Sequence, residues 1–319
     1  MGWGRGVGAI VLSSRIINTN MSDISCRIVV ANVNGHNSEI KRKGFLDHLK
    51  KLNPTIVATI DSRIGPSSER KIRNNTSEYN CFFSSFSSQS RGISVYTDKK
   101  STLKISKLYS DREGNVLNLK IKDNDHIFVL CCIYGPTRDD PAFFEDNINR
   151  LTSYDCPYIM TGDFNTTLCH KKDNLNYSEE RNKESRRRLN ELMTEHELID
   201  VQRCFWGDES KYTYISRSGP QMGRLDFFIA SGCLLPDIVG TDIEAPFESD
   251  HCPIRMDLKF DDFKKGKSVW RHADYLLTDP DYIKYIKTEL DITLARYAIG
   301  PNGEESLLNC NIEEINKFT

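Results

Sequence analysis

The sequence predicts an α/β fold whose strands end on polar side chains. Three stretches carry that expectation. Residues 27–33 read as a strand, 41–52 as a helix and 55–60 as a second strand, which is the spacing of a βαβ-like unit. Residues 127–134 form an unbroken apolar run, the pattern of a strand buried on both faces. Residues 158–165, Tyr-Ile-Met-Thr-Gly-Asp-Phe-Asn, read as a buried strand that runs out at Gly162. Asp163 and Asn165 then follow at i and i+2, and in an extended run such residues point to one side. The carboxyl end of a strand is where α/β folds tend to place chemistry. Gly, Asp and Asn are also ordinary turn formers, and on this stretch alone a strand-ending turn is an equal reading. An EF-hand start fits less well, because Thr167 and Leu168 stand where Asn/Asp and Gly are required.

The first strand ends at Asn32, followed by Asn34 and Gly35. The helix after it is basic, with Lys41, Arg42 and Lys43, and sets Phe45, Leu46, Leu49 and Leu52 on one face before Pro54 breaks it. The second strand delivers Asp61. Residues 66–79 are polar loop and short helix. Residues 81–83 and 92–96 suit hairpin strands joined by a Ser/Gln/Arg-rich linker, and 116–121 alternates as a strand should. Tyr134-Gly135-Pro136 closes the apolar run. Asp140-Pro141 opens a helix with Phe143, Phe144 and Ile148 inward. Residues 179–198 predict a charged amphipathic helix, whose Arg186-Arg187-Arg188 is usually a solvated face. Residues 212–214 form a short strand, 216–223 a Ser/Gly/Pro loop and 224–229 a strand. Ser249-Asp250-His251 precedes a last alternating strand with Ile254, Met256, Leu258 and Phe260.

These signals divide the 319 residues into a leader over 1–22, a main domain over 23–260 and a helical linker fragment over 261–319. The last begins at Lys264-Lys265-Gly266-Lys267 and has helical spacing at Ile283, Ile286, Leu290 and Leu294. Hydrophobic residues make up 38% and charged residues 28%, which permits a core and argues against wholesale disorder. A formal net charge of −2 argues against a polycation that coats nucleic acid. It leaves room for a nuclease, since an acidic metal site subtracts from a basic rim. No apolar run approaches the length of a membrane span. The ten cysteines include no Cys-x-x-Cys pair and read mostly as small buried hydrophobes in a reducing compartment. Met1-Gly2 opens like a myristoylation signal, but Gly6 stands where Ser or Thr is needed. The short apolar run 7–12 is weak for a signal peptide. A nuclear or cytoplasmic location is therefore expected rather than secretion.

The polar strand ends are Asn32, Asp61, Tyr134, Asp163 with Asn165, and Asp250-His251. Asp226 adds a carboxylate inside an otherwise apolar strand. Singly, each has an ordinary explanation: a turn Asn, a capping Asp, a core Tyr with its hydroxyl tied off, a loop histidine. Asp226 is the hardest to dismiss, because a carboxylate in a buried strand must be paired or hydrogen-bonded. A histidine is its natural partner, and a carboxylate-oriented histidine is a recurring catalytic device. The residue types also suit phosphodiester chemistry. An in-line nucleophile and charge neutralisation are needed, and Mg²⁺ takes oxygen ligands from one or two carboxylates plus waters.

In order and spacing the chain resembles the endonuclease/exonuclease/phosphatase family, and within it the apurinic-like endonuclease domain of non-LTR (LINE-type) retrotransposons. The matching stretches span roughly residues 26–260. They are Asn32-Val33-Asn34-Gly35 with Lys41-Arg42; residues 56–63; Ile133-Tyr134-Gly135-Pro136; Gly162-Asp163-Phe164-Asn165; Tyr212-Thr213; Arg224-Leu225-Asp226-Phe227; and Ser249-Asp250-His251. Trp270 and Tyr275-Leu276-Leu277 resemble the start of the linker that joins such endonucleases to a reverse transcriptase. The resemblance implies a four-layer α/β/β/α sandwich of the DNase I-like type. It implies Mg²⁺, with Mn²⁺ as an alternative, held at Asn32, Asp61 and Asp250. It also implies Asp163 at the attacking water, Asn165 and Tyr134 at phosphate oxygens, and His251, oriented by Asp226, at the scissile phosphate. Thr213, Arg224 and Asn34 would contact double-stranded DNA, and a reverse transcriptase region would lie on the full-length polyprotein. The implied activity is a DNA nick that leaves a 3′-hydroxyl to prime reverse transcription. Two departures matter. The family usually has glutamate where this chain has Asp61, shorter by one methylene or roughly 1.5 Å. Gly223 stands where some relatives have serine. The rival readings are a weakened or dead nucleic-acid-binding remnant, and a phosphodiesterase of the same fold acting on another phosphoester.

Overall fold

The computed structural model describes residues 24–260, with residue 280 and residues 282–288 of a further helix. The chain divides into two compact units, Met1–Asp261 and Asp262–Thr319. The expected leader, the 264–267 linker, Trp270, Tyr275-Leu276-Leu277, Leu290 and Leu294 lie outside the described residues. Residues 282–288, with Ile283 and Ile286, are helical as their spacing predicts.

The first unit holds two six-stranded sheets. Across the first, the strands run Ile238–Ile243, Ile254–Leu258, Cys26–Asn32, Ile56–Ile60, Ile93–Asp98 and Tyr79–Ser84. Cys26–Asn32 and Ile56–Ile60 are parallel, joined through the helix Glu39–Leu49 as the βαβ-like spacing predicts. Across the second, the order is Leu198–Asp200, Asp226–Ser231, Tyr158–Asp163, His126–Tyr134, Val116–Asp123 and Lys104–Ser110. Here His126–Tyr134 and Tyr158–Asp163 are parallel, joined through the helix Pro141–Thr152. A parallel pair brings two strand ends out on the same side, so these two pairs decide where polar ends can meet.

Strand periodicity then builds four layers. Ile28 and Val30 face inward and pack with Leu130, Cys132, Ile159 and Phe228 of the other sheet. Val29 and Ala31, one residue out of phase, pack outward on Phe45, Leu46 and Leu49 of the first helix. Val129, Cys131 and Ile133 do the same on the far side, against Phe144, Ile148, Leu189 and Leu192. The strand expected to be buried on both faces is so, because it is central in its sheet and covered by a helix layer outside. The helix expected over 179–198 is shorter, Lys183–Glu195. Asn182 takes a left-handed φ of 49°, and the Asp139 carboxylate accepts from the backbone N–H groups of Glu184 and Ser185, capping the helix there. Its arginines are a solvated face: Arg187 pairs with Glu184 and Glu191, Arg188 with Glu145 and Glu195. Of the described cysteines, Cys26, Cys81, Cys131, Cys132 and Cys252 are buried while Cys233 is exposed. Among the described residues no helix is long and apolar enough to cross a membrane.

Candidate active site

The site begins at Asp163, the last residue of its strand. Tyr134 is its register partner on one side and Asp226 on the other. Direct partners present their side chains on one face, here the face turned toward the first sheet. Gly162 is obligatory in this arrangement: at φ +135°, a Cβ would stand 2.0 Å from the Ile133 carbonyl oxygen. Gly135 is equally constrained, since its Cβ would meet the Phe164 carbonyl at 2.3 Å. The close approach lets Gly135 N–H donate to the Asp163 carbonyl at 2.7 Å and lets Asn165 Nδ2 donate to the Gly135 carbonyl at 2.8 Å. Asn165 thereby spends one of its two amide hydrogens and is held at the strand end.

Asp163 is 1% exposed. Its Oδ1 accepts from the Asn165 N–H at 2.9 Å, and its Oδ2 accepts from Asn32 Nδ2 at 2.9 Å. His251 Nε2 lies 3.7 Å from the same Oδ2, while His251 Nδ1 is 2.9 Å from Asp226 Oδ2. Burial lifts the Asp163 carboxyl to about 6, against the opposing pull of His251. For His251, burial alone would lower the pKa, but Asp226 and Asp163 outweigh it and raise it to about 9. Near neutral pH the imidazole therefore carries its proton, with Nδ1 donating to Asp226 and Nε2 turned toward Asp163. Asp226 keeps its second oxygen, Oδ1, buried without a hydrogen-bond partner. The phenol of Tyr134 is pushed up by burial and by Asp61 and Asp163, so it is a standing O–H donor.

The remaining strand ends close around this group. The Ser249 hydroxyl donates to the Asn32 carbonyl at 2.8 Å, which sets Asp250 and His251 beside the end of the first strand. Asp61 follows Ile60, the register partner of Asn32, and is 4% exposed. Its Oδ1 accepts from the Arg91 backbone N–H at 2.8 Å; its Oδ2 accepts from Arg63 at 2.7 and 3.1 Å. Arg63 also donates to Asn34 Oδ1 at 2.5 Å, and Asp250 acts on its charge. Beside them opens a cleft of about 680 Å³ lined by Asp61, Arg63, Arg91, Tyr134, Arg138 and Phe143.

Two solved structures share this architecture. The AP endonuclease LMAP from Leishmania major superimposes with a TM-score of 0.65 at 16% identity, covering 76% of this chain and 92% of that one. An AP endonuclease from Archaeoglobus fulgidus gives 0.60 at 16% identity, covering 73% and 99%. This is the endonuclease/exonuclease/phosphatase fold. The model of the endonuclease-reverse transcriptase family matches residues 128–255. A DNA-(apurinic or apyrimidinic site) endonuclease of Dictyostelium discoideum is 26% identical over 257 residues, covering 72% of this chain and 69% of that protein. Both matches support the endonuclease/exonuclease/phosphatase superfamily.

Not every residue singled out from the sequence sits where a DNA contact needs it. Arg224 is fully buried. Its guanidinium binds Asp173 at 2.8 Å, Asp200 at 2.6 and 3.0 Å and Gln202 at 3.0 Å, and lies over the Phe227 ring. It ties Asp173 and the end of the edge strand at Asp200 to the start of the strand that carries Asp226, and it is too deeply buried to reach a groove. Thr213 is likewise buried, and its hydroxyl accepts from the backbone N–H groups of Leu225 and Asp226 at 3.0 and 3.1 Å. Its work is to set the start of the strand that carries Asp226. Asn34 is half-buried and engaged by Arg63.

The donor chemistry gathered here suits a hard cation. Asn32, Asp61 and Asp250 offer oxygens, as Mg²⁺ prefers. Among the described residues, Asp163, Asp226 and His251 gather ligand-type atoms within 4.8 Å. In that trio His251 Nδ1 is already bonded to Asp226 at 2.9 Å, while Nε2 stands 3.7 Å from Asp163 at ion-pair distance. In Asp61, the Arg91 backbone N–H engages Oδ1 and the Arg63 guanidinium engages Oδ2. Arg63 and Arg91 are the residues sequence reasoning did not single out. Arg63 follows Asp61 at i+2, but only the backbone path reveals that both side chains turn to one place.

Proposed function

We propose that this chain is a Mg²⁺-dependent endonuclease that nicks double-stranded DNA and leaves a 3′-hydroxyl and a 5′-phosphate. The observation that carries the reading is the line of polar contacts from Asp226 through His251 and Asp163 to Asn32, two hydrogen bonds and a 3.7 Å ion pair, built at the joint of the two sheets. A carboxylate whose pKa is lifted toward neutrality suits a general base. Asp163 accordingly orients the attacking water and takes its proton. The imidazolium of His251, fixed by Asp226, donates from Nε2 to a non-bridging phosphate oxygen. Tyr134 donates its O–H, and Asn165 its remaining N–H, to the same phosphate. Asn32, Asp61 and Asp250 would hold Mg²⁺, which when bound neutralises charge on the phosphate oxygens. Attack in line breaks the bond between phosphorus and the 3′ oxygen.

The description of the matching family model and the motif order support a role in priming reverse transcription from the nick. The names of the relatives favour a second substrate, a strand interrupted by an abasic site. One experiment separates them. Supercoiled plasmid and a duplex carrying one abasic analogue are incubated with the protein, with Mg²⁺ or with chelator. Conversion of intact plasmid to open circle in Mg²⁺ alone is the expected result. Cleavage confined to the abasic duplex selects the second substrate. Cleavage that persists in chelator refutes the metal-dependent reading, and no cleavage of either DNA refutes the nuclease.

A further inference from the structure

Asp61 and Arg63 are both non-glycine residues with left-handed backbone, at φ 51° and 52°. Such conformations persist where the surroundings over-determine them, and here the surroundings do. Gly35 N–H donates to the Asp61 carbonyl and His36 N–H to that of Ser62; Ser62 and Arg63 donate in turn to the carbonyls of Gly92 and Arg91. The segment is clamped between two loops. The result is that a carboxylate and a guanidinium two residues apart project to one place. Gly35 keeps the path clear, since a Cβ there would stand 3.2 Å from Arg63 Cδ.

We infer that Arg63 is the resident counter-cation of Asp61, holding the carboxylate oxygen that a divalent ion would take, so that the ion pair and cation binding exclude each other. The inference rests on the metal-dependent reading of the site. Asp61 has two oxygens. Oδ1 is committed to the Arg91 N–H, and Oδ2 takes both Arg63 donors. A divalent ion at Oδ2 would therefore stand against the guanidinium, and like charges at contact distance repel strongly where water is partly excluded. Asp61 is nearly buried while the Arg63 side chain is 36% exposed. The guanidinium can therefore swing into the cleft that Tyr134, Arg91 and Arg138 line, without unfolding anything. There it joins the basic groups facing a phosphate. In the absence of the cation it shields a buried carboxylate that would otherwise lack a charge partner. This chain thus carries its own competitor for the metal, next to the carboxylate that is one methylene short.

The test is Mn²⁺ binding, read from the loss of the free-ion electron paramagnetic resonance signal, on the 319-residue chain and three variants. R63Q removes the charge and keeps hydrogen-bonding capacity; R63K keeps the charge; D61N removes the proposed ligand. The expected result is that R63Q binds Mn²⁺ about tenfold more tightly than wild type, an effect of the order of one pKa unit of charge interaction. R63K should bind within about twofold of wild type, and D61N more weakly than wild type. Thermal melting without metal should show R63Q less stable than R63K, with Mn²⁺ erasing the difference. R63Q binding equal to or weaker than wild type overturns the inference while leaving the metal-dependent nuclease standing. D61N binding like wild type does the same. If neither wild type nor R63Q binds Mn²⁺, the metal-dependent reading itself fails and the inference falls with it.

Discussion

Asn32 and Asp163 belong to different sheets, and Asn32 Nδ2 donates to Asp163 Oδ2 at 2.9 Å. The bond crosses the sandwich at the end where both parallel pairs terminate. It also sets the base. Burial raises the Asp163 pKa to about 6, and the Asn32 bond is among the contacts that restrain it. Against burial, which would lower it, the carboxylates of Asp226 and Asp163 raise His251 to about 9. Activity needs Asp163 ionised, hence pH above its pKa, and His251 protonated, hence pH below its own. Nicking should follow a bell with limbs near 6 and 9. Asn32→Ala removes a bond to the ionised form, so the Asp163 pKa rises and the acid limb moves to higher pH. A pH–rate profile of both proteins decides it; an unmoved acid limb means Asp163 is not the base.

The Asp226–His251 pair should behave as one unit. Asp226→Asn and His251→Ala are each expected to lower nicking by about 10²-fold, as for loss of a positioned acid or base. The double variant should lose little more than the worse single, because paired residues are non-additive. Initial nicking rates of the four proteins complete the cycle. Losses that simply multiply would show that the 2.9 Å contact does not couple the two.

Arg224 should matter for stability and not for DNA. Arg224→Ala strips Asp200 of its charge partner and Gln202 Oε1 of its donor, and breaking a buried ion pair from one side costs about 3–5 kcal/mol. A drop in denaturant midpoint of that size is expected. The salt slope of DNA binding should stay at the wild-type value, whereas losing a phosphate-contacting arginine lowers it by about one. A reduced slope with normal stability would return Arg224 to the DNA surface.

The contrast between Asp226 and Arg224 shows what the sequence could carry. Strand ends were legible because a buried strand reads as an apolar run, and a polar residue that interrupts or ends it stands out. That logic located Asn32, Asp163, Asp226 and His251 on converging ends. It failed for Arg224, because a buried arginine and a groove arginine look alike until its acids are found, 51 and 24 residues away. One edge strand escaped for the opposite reason. Lys104–Ser110 is largely exposed and bulged at Lys107 and Tyr109, so it shows no clean alternation. The left-handed turn at Asp61 and Arg63 was illegible, since non-glycine residues seldom adopt it and nothing local announces it.

The last prediction concerns the hairpin that overhangs the relay. Tyr214–Ile215 pairs with Met222–Gly223, which pairs in turn with Asn174–Leu175. The register aligns Ile215, Met222 and Leu175 in one row, and Ile215 and Leu175 are 44% and 41% exposed. The stem is tied to the site. Ile215 N–H donates to the Asp250 carbonyl, Cys252 N–H to that of Thr213, and the Tyr214 ring lies 4.9 Å from the His251 ring. The tip, residues 216–221, is polar and mostly exposed. Chemistry should therefore survive its loss, while shape reading of a groove should not. Replacing residues 216–221 with a short Gly-Ser turn, stem retained, should lower the preference for the best cut site by about tenfold, roughly one base pair's worth of discrimination. Total nicking should fall by less than that. Mapping the nicks on an end-labelled duplex measures both. A cut pattern identical to wild type would remove the loop from recognition, and a larger loss in total nicking than in preference would make it part of the machinery that holds His251.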